Sequence, residues 1–198
     1  MSTVANPERA PLLVRARAPQ ELVAGLEEFE SGLERRVRRR TGPAPFEVIA
    51  RADPTRWIPV RVSSHVVCAA VEELGEDRAP KLWRHFFAQR FARSPLMRVL
   101  VGGTIRMTGV TPRGLLKHIG RILQGTYRNL GTPRVELGPE RRAIILLEDV
   151  HPEFLEFPRY FHAFSGSMEG ICELTGHDGH ASFHFDPRAL RVRFEVVW

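Results

Sequence analysis

The chain has 198 residues, an apolar share of 43%, a charged share of 26% and a formal net charge of +6, the proportions of a globular protein with a core of its own. No apolar run approaches the roughly 20 residues of a membrane-spanning helix. Residues 1–13 (MSTVANPERAPLL) lack the basic-then-apolar layout of a secretion signal, so a cytoplasmic protein is expected.

In chain order, residues 1–18 read as a flexible or extended lead-in, with Leu12–Arg17 (LLVRAR) a short strand or an extended piece. Pro19 opens a helix whose apolar positions Leu22, Leu26, Phe29, Leu33 and Val37 fall on one narrow stripe. That helix, assigned to residues 19–44, ends at the breaker cluster Thr41-Gly42-Pro43. A single α+β domain is expected over 45–198. It begins with an extended piece at Phe46–Ala50, then helices at about Val62–Leu74 (stopped by Gly75) and Ala79–Phe91. Ser94-Pro95 and Thr111-Pro112 each pair a capping residue with proline at the first helical position. The first opens a helix through Leu96, Val99, Leu100, Ile105 and Met107, the second one with Leu115, Leu116, Ile119, Ile122 and Leu123 inward.

Beyond Gly131 the pattern changes to two strands, Arg134–Leu137 and Arg142–Asp149, joined at Gly138-Pro139. A helix follows over Pro158–Gly176, with Phe161, Phe164, Met168 and Ile171 at helical spacing. Two alternating strands close the chain, His180–Asp186 and Arg191–Trp198. The fold class is therefore α+β: a helical first half, then hairpin, helix and hairpin giving a four-stranded antiparallel sheet packed on helices.

Nearly all the positive charge is arginine, since Lys81 and Lys117 are the only lysines. The dense cluster is Arg35, Arg36, Arg38, Arg39 and Arg40. It follows an acidic segment, the distribution that complements a helix dipole. A solvated helix end outweighs contact with phosphate or a partner, and nucleic-acid binding is the weakest reading. Two cysteines, Cys68 and Cys172, make neither a disulfide framework nor a cysteine metal site, and buried free thiols are expected.

Residues Trp57-Ile58-Pro59, Ser94-Pro95-Leu96, Gly109, Leu115-Leu116 and Tyr127-Arg128 resemble a paralogous family of uncharacterised myxobacterial proteins. The tail, with Phe164-Ser165-Gly166, Glu169-Gly170, Gly176 and the last strand, is similar to the wider 4-vinyl reductase, haem-NO-binding and TRAPP-subunit superfamily. The resemblance spans roughly residues 55–198. It implies helices on a four-stranded antiparallel sheet, an apolar pocket between the two that takes a small molecule, haem or an acyl chain, and a homodimer. The cysteines of the 4-vinyl reductase branch are absent near the last strands, where Phe183 and His184 stand. No proximal-histidine motif surrounds His118.

Eight histidines are the most conspicuous reactive groups. His177, His180 and His184 suggest a metal cluster, but on one strand face His180 and His184 are about 13 Å apart, so one zinc cannot take both and no metal is expected. His118 is the one helical candidate for an axial haem ligand, with Cys172 a second inward group; the ordinary reading is a satisfied histidine and a packed thiol. Ser165 is no nucleophile elbow, and Gly102-Gly103 lacks the Lys-Ser/Thr of a phosphate loop, so no catalytic residue is assigned. The pocket candidates are His118, Tyr127, Phe161, Phe164, Met168 and Cys172. The expected function is non-catalytic binding or sensing of a small apolar molecule between helices and sheet. The alternative is an assembly module meeting a protein partner through the Leu22–Val37 stripe. The cofactor is left unknown, with haem weighed and disfavoured.

Overall fold

The computed structural model describes residues 9–89, 111–139 and 141–198. The helix expected from Ser94-Pro95 to Met107 lies outside these residues. The described elements are β1 (Leu13–Arg15), α1 (Arg17–Phe29), α2 (Leu33–Thr41), α3 (Ala44–Arg51), β2 (Trp57–Pro59), α4 (Val60–Leu74), α5 (Ala79–Gln89), α6 (Pro112–Leu116), α7 (Ile119–Thr126), β3 (Tyr127–Arg128), β4 (Thr132–Leu137), β5 (Arg142–Glu148), α8 (Phe161–Leu174), β6 (His180–Asp186) and β7 (Arg191–Val197). Two short 3-10 turns, Pro152–Leu155 and Pro158–Tyr160, lead into α8.

The α+β architecture is as the sequence indicates. Strands β4 to β7 form one antiparallel sheet in the order β4-β5-β7-β6. Its buried face carries Ala143, Ile145 and Leu147 on β5, Val192, Phe194 and Val196 on β7, and Ala181 on β6. Alternation sends the neighbouring residues of each strand to the opposite face. A second, three-stranded sheet of order β2-β1-β3 pairs Val14 with both Ile58 and Tyr127. It draws the start of the chain, the entry to α4 and the exit of α7 together.

Three local readings need correction. The helix assigned to 19–44 is two helices, α1 and α2, because Gly32 adopts φ 77° and Glu27 accepts the Gly32 N–H at 2.8 Å. The two segments still share one interior, with Leu22, Leu26, Leu33 and Val37 all buried. The extended piece at Phe46–Ala50 is helix α3, whose buried residues Phe46 and Ile49 are three apart, as one helical face requires. The single helix after Thr111 is α6 and α7, broken at His118 (φ −105°, ψ 11°), so that α6 reaches α8 and β5 while α7 lies along β4 and β1. Thr111 caps α6 as expected, accepting the Gly114 N–H at 3.1 Å. At the lead-in, Leu13–Arg15 is a paired strand.

The packing that positions the interior is α5 on α8. Gly166 and Gly170, four apart, share one face of α8. A Cβ on Gly166 would collide with the Pro80 carbonyl, and one on Gly170 would stand 2.9 Å from Phe87 Cβ. Two backbones this close bring Trp83, Phe86 and Phe87 of α5 against α8, and all three are buried.

Candidate functional site

Two adjoining cavities lie among the helices. The first, of about 40 Å³, is lined by α1, α4, α5, β3 and α8, with Ser63, Trp83, Tyr127, Tyr160 and Phe164 in its wall. The second, of about 60 Å³, is enclosed by Phe86, Phe87, Ile119, Ile122, Leu123 and Met168, among others. Ala18, Phe86, Tyr127, Phe164 and Ser167 belong to both. The second is almost wholly apolar, whereas the first has hydroxyl groups converging on it.

Those hydroxyls form a chain. Tyr127 Oη and Tyr160 Oη are 3.2 Å apart, and Tyr160 Oη is 3.5 Å from Ser63 Oγ. Ser63 Oγ donates to the Val60 carbonyl at 2.9 Å, which uses its one proton. Tyr160 therefore donates to Ser63, and Tyr127 to Tyr160. The open lone pairs at the cavity are then those of Tyr127 and of Ser167, whose hydroxyl proton is held by the Ala163 carbonyl at 2.7 Å. Burial holds the Tyr127 phenol well above its ordinary pKa, and the neighbouring Tyr160 adds to this. Burial raises Tyr160 as well. Both stay neutral hydroxyls across the physiological range.

Aromatic packing fixes their orientation. The Tyr127 ring meets Phe164 edge-on at 5.4 Å between centroids, Tyr160 meets Phe164 at 5.5 Å, and Phe154 supports Tyr160 at 5.4 Å. Offset and edge contacts of this kind hold rings rigidly.

Of the sequence-derived pocket residues, Tyr127, Phe164 and Met168 line these cavities. Phe161 points to the sheet instead, fully buried against Phe185 at 4.9 Å and Phe194 at 6.3 Å. Cys172 is buried where α8 crosses Gly179, and burial pushes its thiol up to about 12. His118 lies in an outer groove with Lys117, Arg121, Gln124 and Pro133. The sequence reading missed Tyr160 and Ser63. Tyr160 precedes a helix as one more aromatic in a run of them, and Ser63 is an ordinary helix residue. Only their meeting at Tyr127 distinguishes them.

The arginine cluster is largely paired. Arg36 bonds Glu30 and lies 3.4 Å from Glu73, Arg38 is 2.7 Å from Glu34, and Arg40 is 2.8 Å from Glu73 and 3.1 Å from Glu72. Arg38 also stacks on Phe46, its guanidinium carbon 4.1 Å from the ring centroid. Arg35 and Arg39 are exposed. Among the described residues no group of three His, Cys, Asp or Glu is placed to hold a metal. His180 Nδ1 is 3.4 Å from Glu169, His177 Nδ1 is 2.8 Å from the Thr175 carbonyl, and His184 is exposed.

No protein-family model matches the chain, and no curated protein does. Solved structures do. The Fe(II) unliganded H-NOX protein from K. algicida superposes with a TM-score of 0.60 at 13% identity, over 92% of this chain and 95% of that one. A single-residue mutant of that same protein gives 0.62 at 14% identity over the same shares. An oxygen-binding H-NOX domain related to soluble guanylate cyclases, solved as its oxygen complex, gives 0.56 at 11% identity, over 92% and 94%. At these identities the likeness is one of fold.

That fold raises the question of haem, and the two interior cavities do not fit it. A ligand of haem size needs a cavity of at least about 300 Å³, against about 40 and 60 Å³ here. All eight histidines are described, and none lines either cavity, nor does a cysteine. Among the described residues no helix is long and apolar enough to cross a membrane.

Proposed function

We propose that this chain is a non-catalytic binding or sensory domain for a small, mainly apolar molecule held between the helices beside Tyr127. The observation that carries the reading is the meeting of the hydroxyl chain with the adjoining cavities. A ligand of a few heavy atoms can place its apolar body between Ile119, Ile122 and Met168. It can donate one O–H or N–H to Tyr127 or Ser167 without breaking the Tyr127–Tyr160–Ser63 chain. A ligand that only accepts must take the Tyr127 proton away from Tyr160, which leaves a buried hydroxyl with a weaker set of partners.

The H-NOX neighbours support a sensory role, because one of them binds oxygen within the same fold. Haem is not carried over from them to this chain. The broader resemblance to the 4-vinyl reductase, haem-NO-binding and TRAPP-subunit superfamily belongs to the same proposal, as does membership of the myxobacterial family. The assembly reading loses its main support, since the Leu22–Val37 stripe is covered by the chain's own helices.

The test is a titration with C2 to C6 primary alcohols and the matching alkanes, followed by methyl NMR of Met168, Ile119 and Ile122. Saturable shifts are expected, stronger for the alcohols, and Tyr127→Phe should remove most of that preference. Absence of saturable shifts across both series would overturn the reading.

A further inference from the structure

The sheet has two edges, and the chain treats them differently. On β4 the residues facing outward are Pro133, Val135 and Leu137, as follows from the ladder: Trp198 donates to Arg141 at 3.0 Å, so the bonded pairs of β7 with β5 are Ala143–Val196, Ile145–Phe194 and Leu147–Val192. Arg142, Ile144, Leu146 and Glu148 then bond β4, leaving its alternate residues outward. Pro133 has no N–H to offer, and its ring packs 3.3 Å from where a Cβ on Gly120 of α7 would stand. That edge is blunted by proline and partly covered.

The same alternation makes Ala181, Phe183 and Phe185 the outward-facing residues of β6. Independent support comes from Ala181, whose N–H is taken by Glu169 Oε1 at 3.0 Å and not by β7. No hydrogen bond within the described residues satisfies the N–H or C=O of Phe183 or Phe185. The groove beside this edge, with Lys81 and Arg84 of α5 on one wall and Ser182 and Phe183 on the other, keeps the strand approachable. Phe183 faces that groove and also the one formed by Cys68, Phe157 and Arg159.

We infer that β6 is the contact of a two-fold homodimer, in which two copies pair antiparallel about Phe183 and join their sheets into one of eight strands. The sequence of β6, His-Ala-Ser-Phe-His-Phe-Asp, is self-complementary in that register. On the outer face His180 meets Asp186 of the second copy, and Ser182 meets His184. On the helix face Phe183 meets its own copy and Ala181 meets Phe185. The Phe183 N–H and C=O of each copy bond each other, and each Phe185 N–H bonds the Ala181 C=O opposite. On pairing, the Ala181 N–H passes from Glu169 Oε1 to the Phe185 C=O opposite, so that no edge N–H or C=O from Ala181 to Phe185 is left unpaired. Shifting the register by one pair to centre on His184 would oppose two histidines and separate His180 from Asp186. The facing of His180 with Asp186 selects the Phe183 centre.

Sedimentation velocity of the full chain over a concentration series gives the oligomeric state, and a monomer up to several hundred micromolar would overturn the inference. The register is read by disulfide trapping with Ser182→Cys and His184→Cys chains, both sites being exposed. A cross-link is expected when the two chains are mixed, at the non-bonded positions where Cα atoms approach to about 4.5 Å. Neither chain should cross-link alone; a Ser182→Cys or His184→Cys chain that cross-links with itself would refute the Phe183 centre. His180→Glu, which places like charge opposite Asp186, should weaken the dimer about five- to tenfold while leaving the circular dichroism spectrum unchanged. An unaltered dissociation constant would count against the charge pairing.

Discussion

Tyr127 and Tyr160 show how a residue's meaning is set by a single neighbour. Either alone would be another core aromatic. Together, at 3.2 Å, they relay a proton donor to Ser63 and leave an acceptor at the cavity. Tyr160→Phe removes the acceptor for Tyr127, so a buried hydroxyl loses its partner, and chemical denaturation should show a loss of about 1–3 kcal/mol. The thiols make a separate prediction. Burial pushes both Cys68 and Cys172 up to about 12, whereas an unfolded cysteine ionises near 8.5. A folded pKa above the unfolded one gives stability that is complete below pH ~8.5 and falls as pH rises towards 12. Urea midpoints measured from pH 7.5 to 10.5 should therefore decline, and Cys172→Ala should make the decline shallower. An identical slope in the variant would remove Cys172 from the account.

At the scale of elements, two glycines matter for different reasons. Gly32 ends one helix and starts the next at φ 77°, where an L side chain costs about 1–2 kcal/mol. Gly166 has an ordinary helical backbone, but its face of α8 touches the Pro80 carbonyl at the start of α5. Gly166→Ala must push two helices apart, with a cost of about 2–3 kcal/mol and a widening next to Trp83 and Phe86. The two variants should thus differ in kind. Gly32→Ala should lower the thermal midpoint and leave ligand binding intact, whereas Gly166→Ala should lower both.

Across the whole molecule, charge works mainly as a set of struts. Arg36, Arg40, Arg78 and Arg159 link Glu30, Glu72 and Glu73, tying α1 and α2 to α4, to the entry of α5 and to the turn before α8. Such exposed pairs are individually weak and screened by salt. Raising sodium chloride from 0.05 to about 1 M, where the screening length falls to roughly 3 Å, should lower the urea midpoint of the native chain. Arg40→Ala should show a smaller salt effect; an equal one would mean that the network adds nothing measurable.

The order of elements was legible in the sequence because it rests on local signals: alternation in β5, β6 and β7, helical spacing in α4, α5 and α8, and proline or glycine at their ends. The same signals misled where a turn interrupts a continuous stripe. Leu26 and Leu33 keep helical spacing across Gly32, as do Leu116 and Ile119 across His118, so the stripe survived a break that the backbone did not. Phe164, Met168 and Tyr127 were picked out as inward aromatics and apolar residues, but nothing local separates them from Phe161, which serves the sheet. What the sequence alone determined is the fold class and which faces are apolar, since hydrophobic periodicity acts over a few residues. Which hydroxyls meet at a cavity, which arginines reach across to α4 and which sheet edge stays open were decided only by the tertiary structure, because these rest on residues far apart in the chain, as Tyr127 meets Tyr160 at 3.2 Å and Arg40 meets Glu73 at 2.8 Å.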